Sequence, residues 1–334
     1  MLYDGLPSIR AKLIRCFQIL VLKHALPSYD NLVRFTLSTE NYAFIMNPSK
    51  INHDSGKTVT VIRSDTRHYT GFFGSVSALA KEVYQYRHQV WSVYKQNFRN
   101  SYFGTGLGMV WNFILPLVPL TVYVFLSQIK VFPSFEGVSR ATYVAFGVTI
   151  WFVLTSFVQS PMSTVASRSK EAMKTAIPLS SSIVSSFANI VFDTSVRIIF
   201  IIFMMVFMQT LPSAMAPLVF VLFLAAFFLF FGAGLILSVL NAIYKDFARV
   251  TDIVLRYGLF LSGVIFPIGR SDLAVLLRNV NPFAVYVNAS REIVFDGHIV
   301  DWLPLLIWSG LGLIVFLIGC RLFYVMEFKL REIS

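Results

Sequence analysis

Ala214-Met-Ala-Pro-Leu-Val-Phe-Val-Leu-Phe-Leu-Ala-Ala-Phe-Phe-Leu-Phe-Phe-Gly-Ala-Gly-Leu-Ile-Leu-Ser-Val-Leu-Asn241 contains no acidic, basic or histidine side chain. A helix needs about 20 apolar residues to cross roughly 30 Å of hydrocarbon, and this stretch is longer than that. A helix apolar all round has no polar face to show to water, so its solvent is a bilayer. The pattern recurs on both sides. Spans are predicted near 107 to 128, 142 to 161, 183 to 209, 214 to 241, 253 to 269 and 302 to 325. Only Thr210 to Ser213 separates the third from the fourth, which makes a tight hairpin. The fifth is short and precedes Gly269 to Asp301, an outer segment that reads as dipping partly into the bilayer.

The whole chain fits this solvent. Of 334 residues, 56% are hydrophobic and 13% charged, more apolar surface than a soluble domain of this length hides. The net charge of +11 is spread over the connecting segments and not gathered on one binding face, so it argues topology and against nucleic acid. If both termini are cytoplasmic, 22 Lys and Arg lie inside, five lie outside, and Arg197 sits within a span. That asymmetry predicts an even number of spans with both ends in the cytoplasm. Cys16 and Cys320 lie near opposite ends with neither metal-ligand spacing nor a disulfide framework.

Residues 1 to 77 read as a polar cytosolic or surface region. It includes a basic amphipathic stripe at Ile9, Leu13, Phe17 and Leu20 and a β-prone stretch at Thr58 to Ile62. Residues 78 to 106 hold an amphipathic helix and linker, and 107 to 334 the six spans. Between Leu79 and Arg99, Leu79, Val83, Tyr86, Val90, Val93 and Tyr94 share one face, opposite Lys81, Gln85, His88, Lys95 and Arg99. The helix is predicted to lie along the membrane surface. The fold class is therefore all-α, with one interfacial helix ahead of six transmembrane helices.

Few residues suggest chemistry. Gly56-Lys57-Thr58 looks like the end of a phosphate-binding loop, but such a loop requires glycine five residues before Gly56, where Ile51 stands. ATP hydrolysis is thus not expected on this chain. All five histidines fall outside the predicted spans, so no acid–base cluster gathers at membrane depth. Asp193 and Arg197, four apart in the third span, share a helix face. They fit either a conduit site or an interfacial pair with Arg197 snorkelling. Trp111, Tyr123, Tyr143 and Trp151 crowd the first two spans, where rings either stack on sugar faces or pack against lipid and helices. Ser167 to Ser182 is a charged, helix-capable loop ended by Pro178, suited to docking a partner or simply an ordinary positive-inside loop.

Several stretches, in order, resemble the membrane subunits of ABC exporters of polysaccharides, capsules, lipid-linked O antigens and teichoic acids. Arg99-Asn-Ser-Tyr-Phe-Gly-Thr-Gly-Leu-Gly-Met-Val-Trp-Asn-Phe-Ile-Leu-Pro116 looks like that family's approach to the first span. Asn241-Ala-Ile-Tyr-Lys-Asp246 is similar to its turn after the fourth span. Ser262-Gly-Val-Ile-Phe-Pro267 and Asn281-Pro282-Phe283 resemble its fifth-span end and outer helix start, and Met326-Glu327 to Ser334 its charged tail. The resemblance covers residues 58 to 334, and residues 1 to 57 exceed it as either a partner-binding element or an extension from an upstream start codon.

The resemblance implies a homodimeric permease in a bacterial inner membrane that moves a lipid-linked glycan. Two ATP-binding subunits would carry the ATP and Mg, and this chain would hold no cofactor. It also implies that Lys170, Glu171, Met173, Lys174, Ile177 and Pro178 dock those subunits, and that Val83, Tyr86, Val90 and Tyr94 form an interfacial gate helix. Trp111, Tyr123, Tyr143, Trp151, Asp193 and Arg197 are the candidate substrate path. Competing expectations are an ABC exporter of a drug or small lipid and a membrane-embedded glycan-processing enzyme.

Overall fold

In the computed structural model, the described residues are 67, 70–100, 104–131, 138–174, 178–265 and 272–333, all within the compact unit Arg63–Ser334. The expectations for residues 1 to 62, including the stripe at Ile9 to Leu20 and the stretch Thr58 to Ile62, lie outside them. The described chain is all-helical. Helices α1 (Phe72–Gln85) and α2 (Arg87–Asn100) come first, then α3 (Trp111–Gln128), α4 (Arg140–Lys174), α5 (Leu179–Phe207) and α6 (Val219–Ile243). After them come α7 (Asp246–Leu261), α8 (Asp272–Val280), α9 (Pro282–Arg291) with a π-helical continuation Glu292–Asp296, and α10 (Trp302–Ile333).

Among the described residues, five segments are long and apolar enough to cross a membrane: Gly108–Gln128, Arg140–Arg168, Leu179–Phe207, Ala216–Ile243 and Trp302–Leu330. They match the first four expected spans and the sixth. The expected fifth span at 253 to 269 appears instead as α7, which starts earlier and ends at Leu261. Its 16 residues rise only about 24 Å, less than the hydrocarbon thickness.

Glycines set the centre of the bundle. A Cβ on Gly232 of α6 would lie 2.6 Å from the Phe316 Cα of α10, and one on Gly319 would lie 2.5 Å from the Gly232 oxygen. Two residues further along α6, a Cβ on Gly234 would come within 2.7 Å of the Val158 oxygen of α4. Hydrocarbon gives helices no hydrophobic reason to associate, so close backbone approach at small residues supplies the packing. Around these contacts Phe157, Phe187, Phe227, Phe231 and Phe316 form a ring-packed core, with Phe227 and Phe231 stacked at 4.7 Å and Phe187 edge-on to Phe227 at 5.3 Å. Helix α4 is the most enclosed of the five long segments and α3 the most peripheral.

Just beyond α7 the chain presents its carbonyls to a buried arginine. Gly263 takes a φ of 68°, a left-handed conformation that glycine accepts without penalty. Arg291, at the end of α9 and only 3% exposed, donates from Nη1 to the Gly263 oxygen at 2.8 Å and from Nη2 to the Val264 oxygen at 2.5 Å. Nη2 also reaches the Tyr143 oxygen of α4 at 3.1 Å, and the guanidinium lies 3.8 Å from the Tyr143 ring centroid. A Cβ at Gly147 would collide with this guanidinium, so α4 carries glycine where the arginine crosses it. Helix α9 is started by Asn281, whose Oδ1 accepts from the Phe283 N–H at 3.0 Å, with Pro282 at the first helical position.

The α6–α10 contact generates a stability prediction. Gly232→Leu is expected to lower the stability of the detergent-solubilised protein by about 2 kcal/mol or more, because the added side chain meets helix backbone. Gly310→Ala, where an added Cβ meets nothing within 4 Å, is expected to stay within roughly 0.5 kcal/mol of the parent. Thermal unfolding followed by tryptophan fluorescence compares the two.

Candidate functional site

Helix α5 begins at Leu179 directly after Pro178, the last residue of the segment expected to dock a partner. Pro178 is buried with an extended φ/ψ of −64° and 147°, and no side chain of its own caps the helix. The cap comes from the far end of the chain. Glu327 of α10, completely buried, accepts the Leu179 N–H on Oε1 at 2.9 Å. Its other oxygen, Oε2, pairs with Arg67 Nη1 at 2.6 Å. Arg67 Nη2 pairs in turn with Glu82 Oε1 of α1 at 2.8 Å, and Glu82 Oε2 accepts from the Ser180 hydroxyl at 3.1 Å. The Arg67 guanidinium lies 4.4 Å from the Tyr324 ring centroid and 4.3 Å from that of Phe328, with Nη1 also donating to the Tyr324 oxygen at 3.1 Å.

Glu327 meets the N-terminus of α5, where the helix dipole and the N–H groups of the first turn favour an anion. The result is a junction of four chain segments: Arg67, α1, the start of α5 and the end of α10.

The interfacial stripe is placed as a ridge. Leu79, Val83, Tyr86, Val90, Val93 and Tyr94 are all half-buried, while Lys81, Gln85, His88, Lys95 and Arg99 are exposed. The expected single helix is broken at Tyr86, whose φ of −96° and ψ of 16° depart from the helix. The break lets α1 pack on α10 while α2 follows α5. Phe98 meets Phe192 of α5 edge-on at 4.9 Å, Arg168 Nη2 donates to Asn97 Oδ1 at 2.6 Å, and Asn112 Nδ2 donates to the Phe98 oxygen at 3.0 Å.

Of the docking residues, Lys170, Glu171, Met173 and Lys174 occupy the last turns of α4, and Ile177 lies outside the described residues. The conduit candidates do not converge. Trp151 is 4% exposed and packs on Phe283 at 4.6 Å, and Tyr143 lies against Arg291. Trp111 and Tyr123 are half-buried on α3. Arg197 is buried, with Nε donating to the Pro116 oxygen of α3 at 3.2 Å and the guanidinium 5.1 Å from the Phe152 ring. It stays within electrostatic reach of half-buried Asp193, but the geometry is an α3–α5 tie and not a closed ion pair.

At the opposite end of the bundle, Arg278 pairs with Asp301, and Glu292 Oε2 accepts the Val300 N–H at 2.9 Å. Burial pushes the Glu292 carboxyl above its ordinary range, with the Val300 N–H and Arg278 pulling the other way. Sequence reading missed Arg67, Glu82, Glu327 and Arg291. The signal for Glu327 was its register, since Phe323, Glu327 and Leu330 are all buried on one face of α10, which runs on through the expected tail.

Arg67→Met is expected to cost about 3–5 kcal/mol, because it removes one partner of an ion pair with buried Glu327. Combining Arg67→Met with Glu327→Gln is expected to cost less than the sum of the two single changes. A double-mutant cycle of unfolding in detergent measures the difference, and additivity would show that the pair does not act as a unit.

Comparison with known proteins is consistent with this architecture. The chain is 22% identical over 246 residues, covering 71% of this chain and 92% of the relative, to the O-antigen export system permease protein RfbA of Myxococcus xanthus. Residues 88–295 match the ABC-2 type transporter family, a stretch that runs from the start of α2 to the π-helical turn and takes in well over half of the chain. The chain is therefore a member of the ABC-2 type transporter family, a multi-pass membrane transport subunit and not an enzyme.

Proposed function

We propose that this chain is the permease of an ATP-driven exporter that carries a lipid-linked polysaccharide across a bacterial inner membrane. Two copies of the chain would form the path, and two ATP-binding subunits would supply ATP and Mg. Helix α7, with the chain that follows it, would complete six passes, leaving both termini in the cytoplasm in keeping with the excess of Lys and Arg on that side. The RfbA relative's name supports a polysaccharide cargo.

The observation that carries the reading is the run from the end of α4 through Pro178 to Leu179, whose N–H is held by Glu327. In this mechanism the ATP-bound partner binds one permease conformation better than another, and that difference in affinity is what moves the path. Lys170, Glu171, Met173, Lys174, Ile177 and Pro178 meet the partner, and its push reaches α5, α10 and α1 together. The stripe of Val83, Tyr86, Val90 and Tyr94 rides with α1 and α2 as the gate.

Co-purification of the tagged chain from native membranes, with mass spectrometry and ATPase assay, tests the reading. The parent is expected to bring down an ATP-binding subunit, and replacement of Lys174, Ile177 and Pro178 is expected to lose it. A chain that purifies alone and is indifferent to those replacements would refute the proposal.

A further inference from the structure

The end of the bundle opposite the Arg67 junction is organised around the π-helical turn Glu292–Asp296, a rare conformation that is frequent at functional sites. The turn finishes at Gly297, whose φ of 77° is left-handed. The Ser213 N–H, from the hairpin between α5 and α6, donates to the Val294 oxygen at 2.7 Å, and a Cβ on Gly297 would lie 2.6 Å from the Ser213 hydroxyl. Phe295 packs on Tyr143 and Phe146 of α4, with ring centroids 6.1 and 5.5 Å apart. The backbone that carries Glu292 is therefore anchored to two neighbouring parts of the bundle.

Glu292 lines a cleft of about 20 Å³, room for about one water molecule, together with Arg278, Asn279, Asn288 and Asp301. Its Oε2 accepts the Val300 N–H at 2.9 Å, two residues ahead of α10. Arg278 of α8 pairs with Asp301 at the next position, and the Trp308 Nε1–H of α10 donates to the Asn279 oxygen of α8 at 2.9 Å. Asn288, four residues before Glu292, has a buried Nδ2 with no hydrogen-bond partner among the described residues. The other charged or titratable groups around the turn are few. Asp296 and His298 are exposed on the link to α10, and Arg291 is turned toward Gly263, Val264 and Tyr143. Helix α4 brings Tyr143 against Phe295 and carries Arg140 one turn earlier, and Asp272 opens α8. Neither Met208–Met215 nor α10 before Cys320 carries such a group.

We propose that Glu292 is a proton-operated latch between the π-helical turn, α8 and the start of α10. In the latched state the carboxyl is neutral. Its Oε2 keeps the Val300 N–H, its O–H and the Asn288 Nδ2 both donate to a water in the cleft, and that water donates to the Asp301 carboxylate. Burial raises the Glu292 carboxyl above its ordinary range; the Val300 N–H and Arg278 offset part of this, and Asp301 and Asp296 add to it. Opening the cleft to solvent removes the burial, so the closed cleft binds the proton more tightly than the open one. Acid consequently closes the latch. Its stabilisation is complete below the ordinary glutamate range and is lost as pH rises through the raised value. In the topology proposed above this end faces outward, and the proton comes from outside the cell.

Hydrogen exchange of the full chain in lipid nanodiscs, where both faces see one pH and the result is independent of topology, tests the latch. After correction for the intrinsic exchange rate, peptides covering α8 and residues 296–301 are expected to be at least about threefold more protected at pH 5 than at pH 8. Peptides around Gly232 and Phe316 serve as the internal reference. Glu292→Gln, uncharged at every pH, is expected to hold the pH 5 protection at both values. His298→Gln is expected to keep the parent's pH dependence. Arg278→Gln is expected to move the midpoint upward, because the guanidinium pulls the Glu292 carboxyl down.

Protection that does not change with pH in the parent would overturn the proposal, and so would a pH dependence that survives Glu292→Gln. Loss of the dependence in His298→Gln would assign the switch to the imidazole instead. A midpoint that moves downward in Arg278→Gln would show that Glu292 is not the titrating group.

Discussion

Hydrocarbon offers a backbone carbonyl no partner, so a helix that stops inside a membrane must find donors within the protein. Helix α7 ends at Leu261, where Ser262 Oγ donates to the Gly258 oxygen and Asn281 Nδ2 to the Leu261 oxygen, and Arg291 then donates to the Gly263 and Val264 oxygens of the chain beyond and to the Tyr143 oxygen of α4. Much else follows from this one contact. Arg291 ties the end of α9 to α4, which requires glycine at position 147 and positions the α8–α9 segment over the end of the bundle. It also ties the chain beyond α7 to α4. The guanidinium meets carbonyl dipoles and a tyrosine ring in place of a carboxylate, an arrangement open to Arg through its five fixed donors and closed to Lys.

The other end of the bundle solves the opposite problem. There a helix begins, with free N–H groups that call for an acceptor, and Glu327 arrives from the far end of the chain. A buried carboxylate is costly unless paired, and Arg67 and the Leu179 N–H together offset that cost. Arg67, Glu82 and Glu327 all lie outside the stretch that matches the transporter family, whereas Leu179 and Ser180 lie inside it. The shared transmembrane core is thus held at the start of α5 by charges from the segments that flank it.

Legibility differed by type of interaction. The apolar runs that became α3, α4, α5, α6 and α10 were plain, because burial in lipid depends on composition over some twenty residues and on no partner. The face of α1 and α2 was plain for a similar reason, since Leu79, Val83, Tyr86, Val90, Val93 and Tyr94 recur at helical spacing. The break at Tyr86 was not, because no proline or glycine marks it. Asp193 and Arg197 were legible as neighbours on one helix face, but Arg197 Nε turns to the Pro116 oxygen, 81 positions away. Aromatic enrichment in the first two spans was equally visible, yet composition could not separate the enclosed Trp151 from an exposed ring such as Tyr257.

The sequence by itself determined that the chain lives in a bilayer, that it is helical, where its long spans lie and that it resembles an exporter subunit. Each of these depends on composition and short-range period. Only the tertiary structure decided that Glu327 caps α5, that Arg67 joins α1 to α10, that Arg291 holds the chain just beyond α7 and that Gln159 meets Asp252. Those pairs are separated by between 15 and 260 positions. A charge or amide carries no record in its own sequence neighbourhood of which distant group will neutralise it, and only the packing of glycine-lined helices brings the two within hydrogen-bonding distance.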